Sequence, residues 1–235
     1  MRDKNAFTLA EVLITLGIIG VVASMTLPTL ITNNRNRELE SGLKVAYSTI
    51  EQGLRKMQAE NGYPPTAEYY PTTGDFYPEY KKQFNKIYDC GFRNPNEDIC
   101  MSRANNQGGQ DGYVDLTYKT FNGKTLATDG FDDGQFVLPN GMLILIENQS
   151  LGMGTYGLGI SVDINGKKKS PNRYGQDLFT FQIMPDGKLL PMGAPGTAYT
   201  DEATYCSATS SNKINGAGCT YKALIDKDYW KNLPK

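Results

Sequence analysis

The chain has 235 residues and carries 24 Lys and Arg against 25 Asp and Glu, a formal charge of −1, so no basic field marks it for nucleic acid. It contains no histidine, which excludes Ser-His-Asp and Cys-His nucleophile pairs and every zinc signature that needs an imidazole. With 25 Gly, 12 Pro and 15 Tyr, the composition fits a loop-rich β surface better than a helical bundle.

Apolar residues crowd toward the N-terminus. After Met1-Arg2-Asp3-Lys4-Asn5-Ala6 comes Phe7–Ile31, and no charged residue occurs from Val12 to Asn34. A helical bilayer span takes about 20 apolar residues, so this run is long enough. Arg2 and Lys4 precede it and Arg35 and Arg37 follow it, so the flanking charges do not choose an orientation. Glu11 breaks the pattern. A carboxylate costs roughly 2.5–3.5 kcal/mol near the bilayer centre and less at the headgroups, and a plain anchor has no use for one. A cut between Ala6 and Phe7 would create an α-amine on Phe7 as its partner. On one helix that offset leaves the two groups about 6 Å apart in rise, so the pairing is expected between subunits. Pairing two buried charges removes the cost of leaving either alone.

A short charged leader, a small residue at Ala6, Phe7-Thr8-Leu9, Glu11, an unbroken apolar run and Pro28 together resemble the type IV pilin and pseudopilin family. The likeness covers Ala6 to about Leu54. The family usually has glycine before the cut, where this chain has Ala6, which is small enough to be accepted. The resemblance implies cleavage between Ala6 and Phe7 by a prepilin peptidase, N-methylation of Phe7, and assembly through Glu11. Gly20 and Pro28 fall where the family's helix commonly loosens inside the filament. It also implies a single pass through a bacterial inner membrane, with the head outside the cytoplasm. The expected partners are membrane lipid before assembly, an inner-membrane assembly platform, and copies of itself or other pilins in a periplasmic or surface filament. No nucleic acid is expected. The competing reading is a Sec signal peptide cut after Val21-Val22-Ala23, or an uncut anchor for a surface binding protein or enzyme. Glu11 inside the apolar region and the helix that continues beyond it both weigh against that.

From Arg35 the charge density rises, but Leu39, Leu43, Ala46, Ile50, Leu54 and Met57 recur at helical spacing. Asn61-Gly62 and Pro64-Pro65 then stop the helix. One helix is expected from about Thr8 to Glu60, roughly 80 Å at 1.5 Å per residue. Residues 61–134 are rich in Tyr, Pro, Asn and Gly, and the cluster Tyr63, Tyr69, Tyr70, Phe76, Tyr77 and Tyr80 is expected to pack a long loop onto that helix. Tyr113–Tyr118 reads as a short strand. Sharper strands follow at Gln135–Leu138, Met142–Glu147, Leu158–Ile164, Leu178–Met184 and Lys188–Leu190, joined by turns such as Pro139-Asn140-Gly141 and Pro185-Asp186-Gly187. Short connections imply an antiparallel meander. The expected class is α+β: a long N-terminal helix, transmembrane in its first half, packed on a C-terminal antiparallel β-sheet head with disulfide-braced loops. The expected segments are a leader (1–6), a transmembrane and filament-core helix (7–31), its amphipathic continuation (32–60), variable loops (61–134), the sheet (135–192) and a C-terminal disulfide loop (193–235).

Cys90, Cys100, Cys206 and Cys219 have no metal-like spacing and follow a membrane stretch. Four cysteines allow three connectivities; pairing by proximity gives Cys90–Cys100 and Cys206–Cys219, with zinc through four thiolates as the alternative. The second pair resembles the C-terminal disulfide loop of many pilins. Ser207–Gly218 between its cysteines is nearly all small and polar, so the bridge alone is expected to hold it.

Two acidic turns invite a cation, Asp129–Gly134 and Asp163-Ile164-Asn165-Gly166 with Asp177. Loops that open Asp-x-Asn-Gly often supply oxygens to hard cations, and such residues also make turns on their own account. The EF-hand spacing is not met, because Tyr174 stands where its last ligand would be. Secretion pseudopilins commonly bind calcium in a C-terminal loop, and on that resemblance Asp163, Asn165 and Asp177 are the candidate ligands. Otherwise no cofactor is expected. Nor is catalysis: Gly152-x-Gly154-x-x-Gly157 precedes a strand rather than opening a helix, and no carboxylate pair stands out. Lys167-Lys168-Lys169 reads as a solvated hairpin tip.

Overall fold

The computed structural model describes residues 8–72, 74–92, 98–102, 104–105, 113–148 and 157–234. Its longest element is α1, Leu9–Asn61, which covers 53 residues and runs through Pro28. The chain divides into two compact units, one ending at Glu38 and one starting at Leu39.

In the first unit Leu13, Ile14, Ile18, Ile19, Leu27 and Ile31 are all exposed, so this stretch of α1 has no core to cover. Among the described residues it belongs to the one helix long and apolar enough to cross a membrane. Its hydroxyls are turned inward. Thr15, Ser24, Thr26 and Thr32 donate to the carbonyls of Val12, Val21, Val22 and Pro28 at 2.8–2.9 Å. Backbone bonding of this kind keeps polar groups satisfied where no water is present.

In the second unit α1 turns amphipathic as its spacing predicts, and Leu39, Leu43, Ala46, Ile50, Leu54 and Met57 are buried. They meet one face of a six-stranded antiparallel sheet ordered β1-β5-β6-β7-β8-β9. Its strands are β1 (Tyr88–Gly91), β5 (Gln135–Val137), β6 (Leu143–Asn148), β7 (Leu158–Asp163), β8 (Leu178–Ile183) and β9 (Leu189–Pro191). Alternation along the strands sorts side chains to two faces. Ile144, Ile146, Ile160, Val162, Phe179 and Phe181 join the α1 stripe, whereas Leu143, Leu145 and Leu178 join Tyr118, Leu126, Phe131 and Met192 beyond the other face. The sheet is therefore buried on both sides. A second sheet, β2 (Ala104–Asn105), β3 (Tyr113–Lys119) and β4 (Thr125–Ala127), contains the strand expected at Tyr113–Tyr118.

The stretch 61–134 holds more regular structure than its composition suggests. It contains α2 (Phe76–Lys81), β1, and the small sheet. Of the aromatic cluster, Tyr70 and Tyr80 bond to α1, whereas Tyr69 is exposed and the Tyr77 hydroxyl donates to the Gln135 carbonyl of β5. Tyr80 stacks on Phe76 with centroids 5.0 Å apart and donates its hydroxyl to the Ile50 carbonyl at 3.1 Å. Gly53 permits this approach, since a Cβ there would lie 2.6 Å from the Phe84 ring.

Both bridges are formed, Cys90–Cys100 and Cys206–Cys219, and no cysteine is free. The C-terminal segment is not held by its bridge alone. Asn215 and Ala217 are fully buried. The Phe121 and Ala127 amides donate to the Asn215 and Lys213 carbonyls at 2.8 and 3.0 Å, stitching the segment to the ends of β3 and β4. Helices α3 (Glu202–Tyr205) and α4 (Cys219–Ile225) flank it, and Tyr229 and Trp230 beyond them enter the core.

Candidate functional site

The N-terminal end of α1 carries the first site. Thr8 lies just before the helix and Glu11 in its first turn. The Thr8 amide and hydroxyl both donate to Glu11 Oε2 at 2.8 Å, and the Glu11 amide donates back to Thr8 Oγ1 at 3.2 Å. This is a capping box, a reciprocal arrangement that satisfies two backbone amides a helix start otherwise leaves bare. In the sequence Thr8 stands out only as part of Phe7-Thr8-Leu9, and the Thr-x-x-Glu spacing is the signal that ties it to Glu11. Further along, a Cβ at Gly20 would meet open space, and α1 is continuous through both Gly20 and Pro28. Ala6 and Phe7, the expected cleavage pair, lie outside the described residues.

The second site is the β7–β8 connection, which gathers Asp163, Asn165 and Asp177. The Ile164 amide donates to the Asp177 carbonyl at 2.9 Å, closing the loop on itself. Asp163 accepts from the Tyr118 hydroxyl at 2.6 Å and from the Asn165 and Gly166 amides at 3.2 and 2.8 Å. Asp177 accepts from the Asn172 and Arg173 amides at 2.7 and 2.6 Å. Burial pushes the Asp163 carboxyl up to about 6, against the lowering effect of those three donors. Two amide oxygens of the same loop, Asn165 Oδ1 and Asn172 Oδ1, are buried with no donor among the described residues. Buried carbonyl oxygens beside carboxylates are the donor set of a hard cation, so these residues fit one.

The other acidic turn also closes up. Asp132 and Asp133 meet Glu147 of β6, with carboxylate oxygens within 4.8 Å of one another. Glu147 joins them through the fold, and no local pattern announces it. Of the glycine motif, Gly152 and Gly154 lie outside the described residues.

Lys167 corrects the expectation of a solvated tip. Its ammonium lies 2.9 Å from Asp115 Oδ2 on β3 and donates to the Cys100 carbonyl at 2.7 Å, with only 13% of the side chain exposed. The Ser102 amide and hydroxyl and the Thr117 amide also donate to Asp115. The hairpin is thereby tied to β3 and to the first disulfide loop.

Residues 1–27 match the family model described as the prokaryotic N-terminal methylation motif. The chain is also similar to the type II secretion system core protein G of Klebsiella michiganensis, with 32% identity over 85 residues, 29% of this chain and 60% of the relative. It thus spans about 60% of the length of that curated relative. No solved structure matches it. The long apolar helix and the methylation motif are features this chain shares with pilin-type proteins. Both comparisons support a likeness to the type IV pilin and pseudopilin family, carried by the N-terminal part of the chain. The methylation motif and the apolar α1 fit a membrane-anchored protein.

Proposed function

We propose that the protein is a structural subunit of a type IV pilus or a type II secretion pseudopilus. It enters the inner membrane through the apolar half of α1 with its head outside the cytoplasm. A prepilin peptidase cuts between Ala6 and Phe7, Phe7 is N-methylated, and an assembly platform lifts the subunit into a helical filament. There the exposed apolar residues of α1 exchange lipid for neighbouring helices. The observation that carries this reading is Glu11, a carboxylate kept at the start of a helix otherwise built for lipid and sitting inside the methylation motif. In the filament it neutralises the Phe7 amine of a neighbour, which removes the cost of burying either charge alone. Glu11→Leu tests this. The variant is expected to insert and accumulate in the membrane at the normal level but to be missing from sheared filaments. Incorporation at the wild-type level would remove Glu11 from assembly.

The β7–β8 loop is the place for a calcium ion in this reading, with Asp163, Asn165, Asn172 and Asp177 as the oxygen donors. When bound, it would offset the buried Asp163 charge and brace the connection between two central strands.

A further inference from the structure

Thr8 has no place in the charge-pairing scheme, yet it controls the side chain that does. Both Thr8 donors land on the same carboxylate oxygen, Glu11 Oε2, and Oε1 receives no bond from the described residues. The Thr8 hydroxyl works in both directions, since it gives its one hydrogen to Oε2 and accepts the Glu11 amide hydrogen on its oxygen. A carboxylate has about four lone-pair sites, so holding one oxygen leaves the other ready for a second donor. A free Glu side chain, by contrast, samples several rotamers and must be ordered at the moment of pairing.

We propose that Thr8 is the positioning residue for Glu11: it grips the carboxylate by Oε2 and presents Oε1 to the amine of the incoming subunit. The inference rests on the filament reading above. The box forms before assembly, while the helix still lies in lipid, and it survives the pairing because the amine takes the other oxygen. Holding the carboxylate in advance also meets the demand that backbone amides in an apolar medium be satisfied within the chain.

The test uses three substitutions in the full chain, in cells that assemble it. Thr8→Ser keeps both the donor and the acceptor. Thr8→Val removes both. Thr8→Asp keeps a good N-cap acceptor for the Glu11 amide but has no hydrogen to give and repels the carboxylate. All three are expected to insert and be cleaved. Thr8→Ser should enter filaments at the wild-type level, whereas Thr8→Val and Thr8→Asp should fall at least about tenfold, a loss of roughly 1.4 kcal/mol. Wild-type assembly of Thr8→Asp would reduce Thr8 to a helix cap, and wild-type assembly of Thr8→Val would overturn the proposal outright. For any variant that is not cleaved, the box is read in the full chain in detergent micelles from the 13Cδ resonance of Glu11, assigned with Glu11→Gln. That resonance should be unchanged in Thr8→Ser and shifted in Thr8→Val and Thr8→Asp; indifference to all three overturns the proposal. A wild-type chain that keeps Met1 in the native membrane would instead sink the filament reading, while the resonance still reported the box.

Discussion

At the scale of single residues, the fate of a charge depends on partners far away in sequence. Lys167 stands in a run of three lysines, which by itself describes a solvated tip. Its partner Asp115 is on β3 and its carbonyl acceptor belongs to Cys100, so only the folded chain brings them together. Breaking a buried pair by removing one member leaves the other charge uncompensated, and Lys167→Met is expected to cost about 3 kcal/mol in urea unfolding at pH 7. Burial would raise the Asp115 carboxyl, but Lys167 and the Thr117 and Ser102 donors outweigh it and hold it below the usual range. Its contribution is therefore present above about pH 4, where the unfolded chain has lost the proton, and fades as the pH falls through the lower folded value. Asp115→Asn should flatten that acid limb. Asp163, Asn165 and Asp177 were legible as a turn-forming acidic set, whereas Asn172 joins them only through the fold. Calcium at a hundredfold its dissociation constant should stabilise the head by about 3 kcal/mol, and a chelator should reverse this. A melting temperature indifferent to calcium, or a rise that survives Asp163→Asn, would remove the ion from this loop.

At the scale of elements, periodicity decided what could be read. The α1 stripe from Leu39 to Met57 keeps helical spacing over several turns, and the strands from β5 to β9 carry alternating apolar residues between recognisable turns. Both appear in the fold close to where the pattern places them. Helix α2 has six residues, fewer than two turns, with Pro78 inside it, and no periodic signal can build over that length. It is held by packing instead, Phe76 stacking on Tyr80 against α1. β1 was hidden in the same way, being a short edge strand whose residues are partly exposed. The stripe makes a paired forecast. Ile50 is fully buried and Val45, on the same helix, is 51% exposed. Ile50→Ala should cost about 2–5 kcal/mol and Val45→Ala no more than about 0.5 kcal/mol by chemical denaturation. Equal losses would mean that α1 packs on another face.

At the scale of the whole molecule, the two units answer to different surroundings. From Leu39 onward the chain has a core of its own, enclosed on both faces of the sheet and closed at the C-terminus by Tyr229 and Trp230. The Cys206–Cys219 bridge closes a loop with a sequence separation of 13. The chain-entropy model assigns such a loop about 3 kcal/mol. Because Asn215 and Ala217 are buried and Lys213 and Asn215 accept backbone bonds, replacing both cysteines by alanine should lower stability by about that amount while leaving amide protection at Phe121 and Ala127 in place. Loss of that protection would make the bridge the main support of the segment, as its small polar residues alone suggest. The apolar start of α1 has no such core, and it is long and apolar enough to cross a membrane. Its N-terminal signature was the most legible part of the chain, because charge, expected cleavage pair and apolar run lie within one short stretch. The measurement that bears most directly on the function is the intact mass of the N-terminal peptide of the native protein, isolated from membranes and from sheared filaments. A filament subunit begins at N-methylated Phe7 in both fractions; a chain beginning at Met1, or at Ser24 after a signal-peptide cut, would contradict the account.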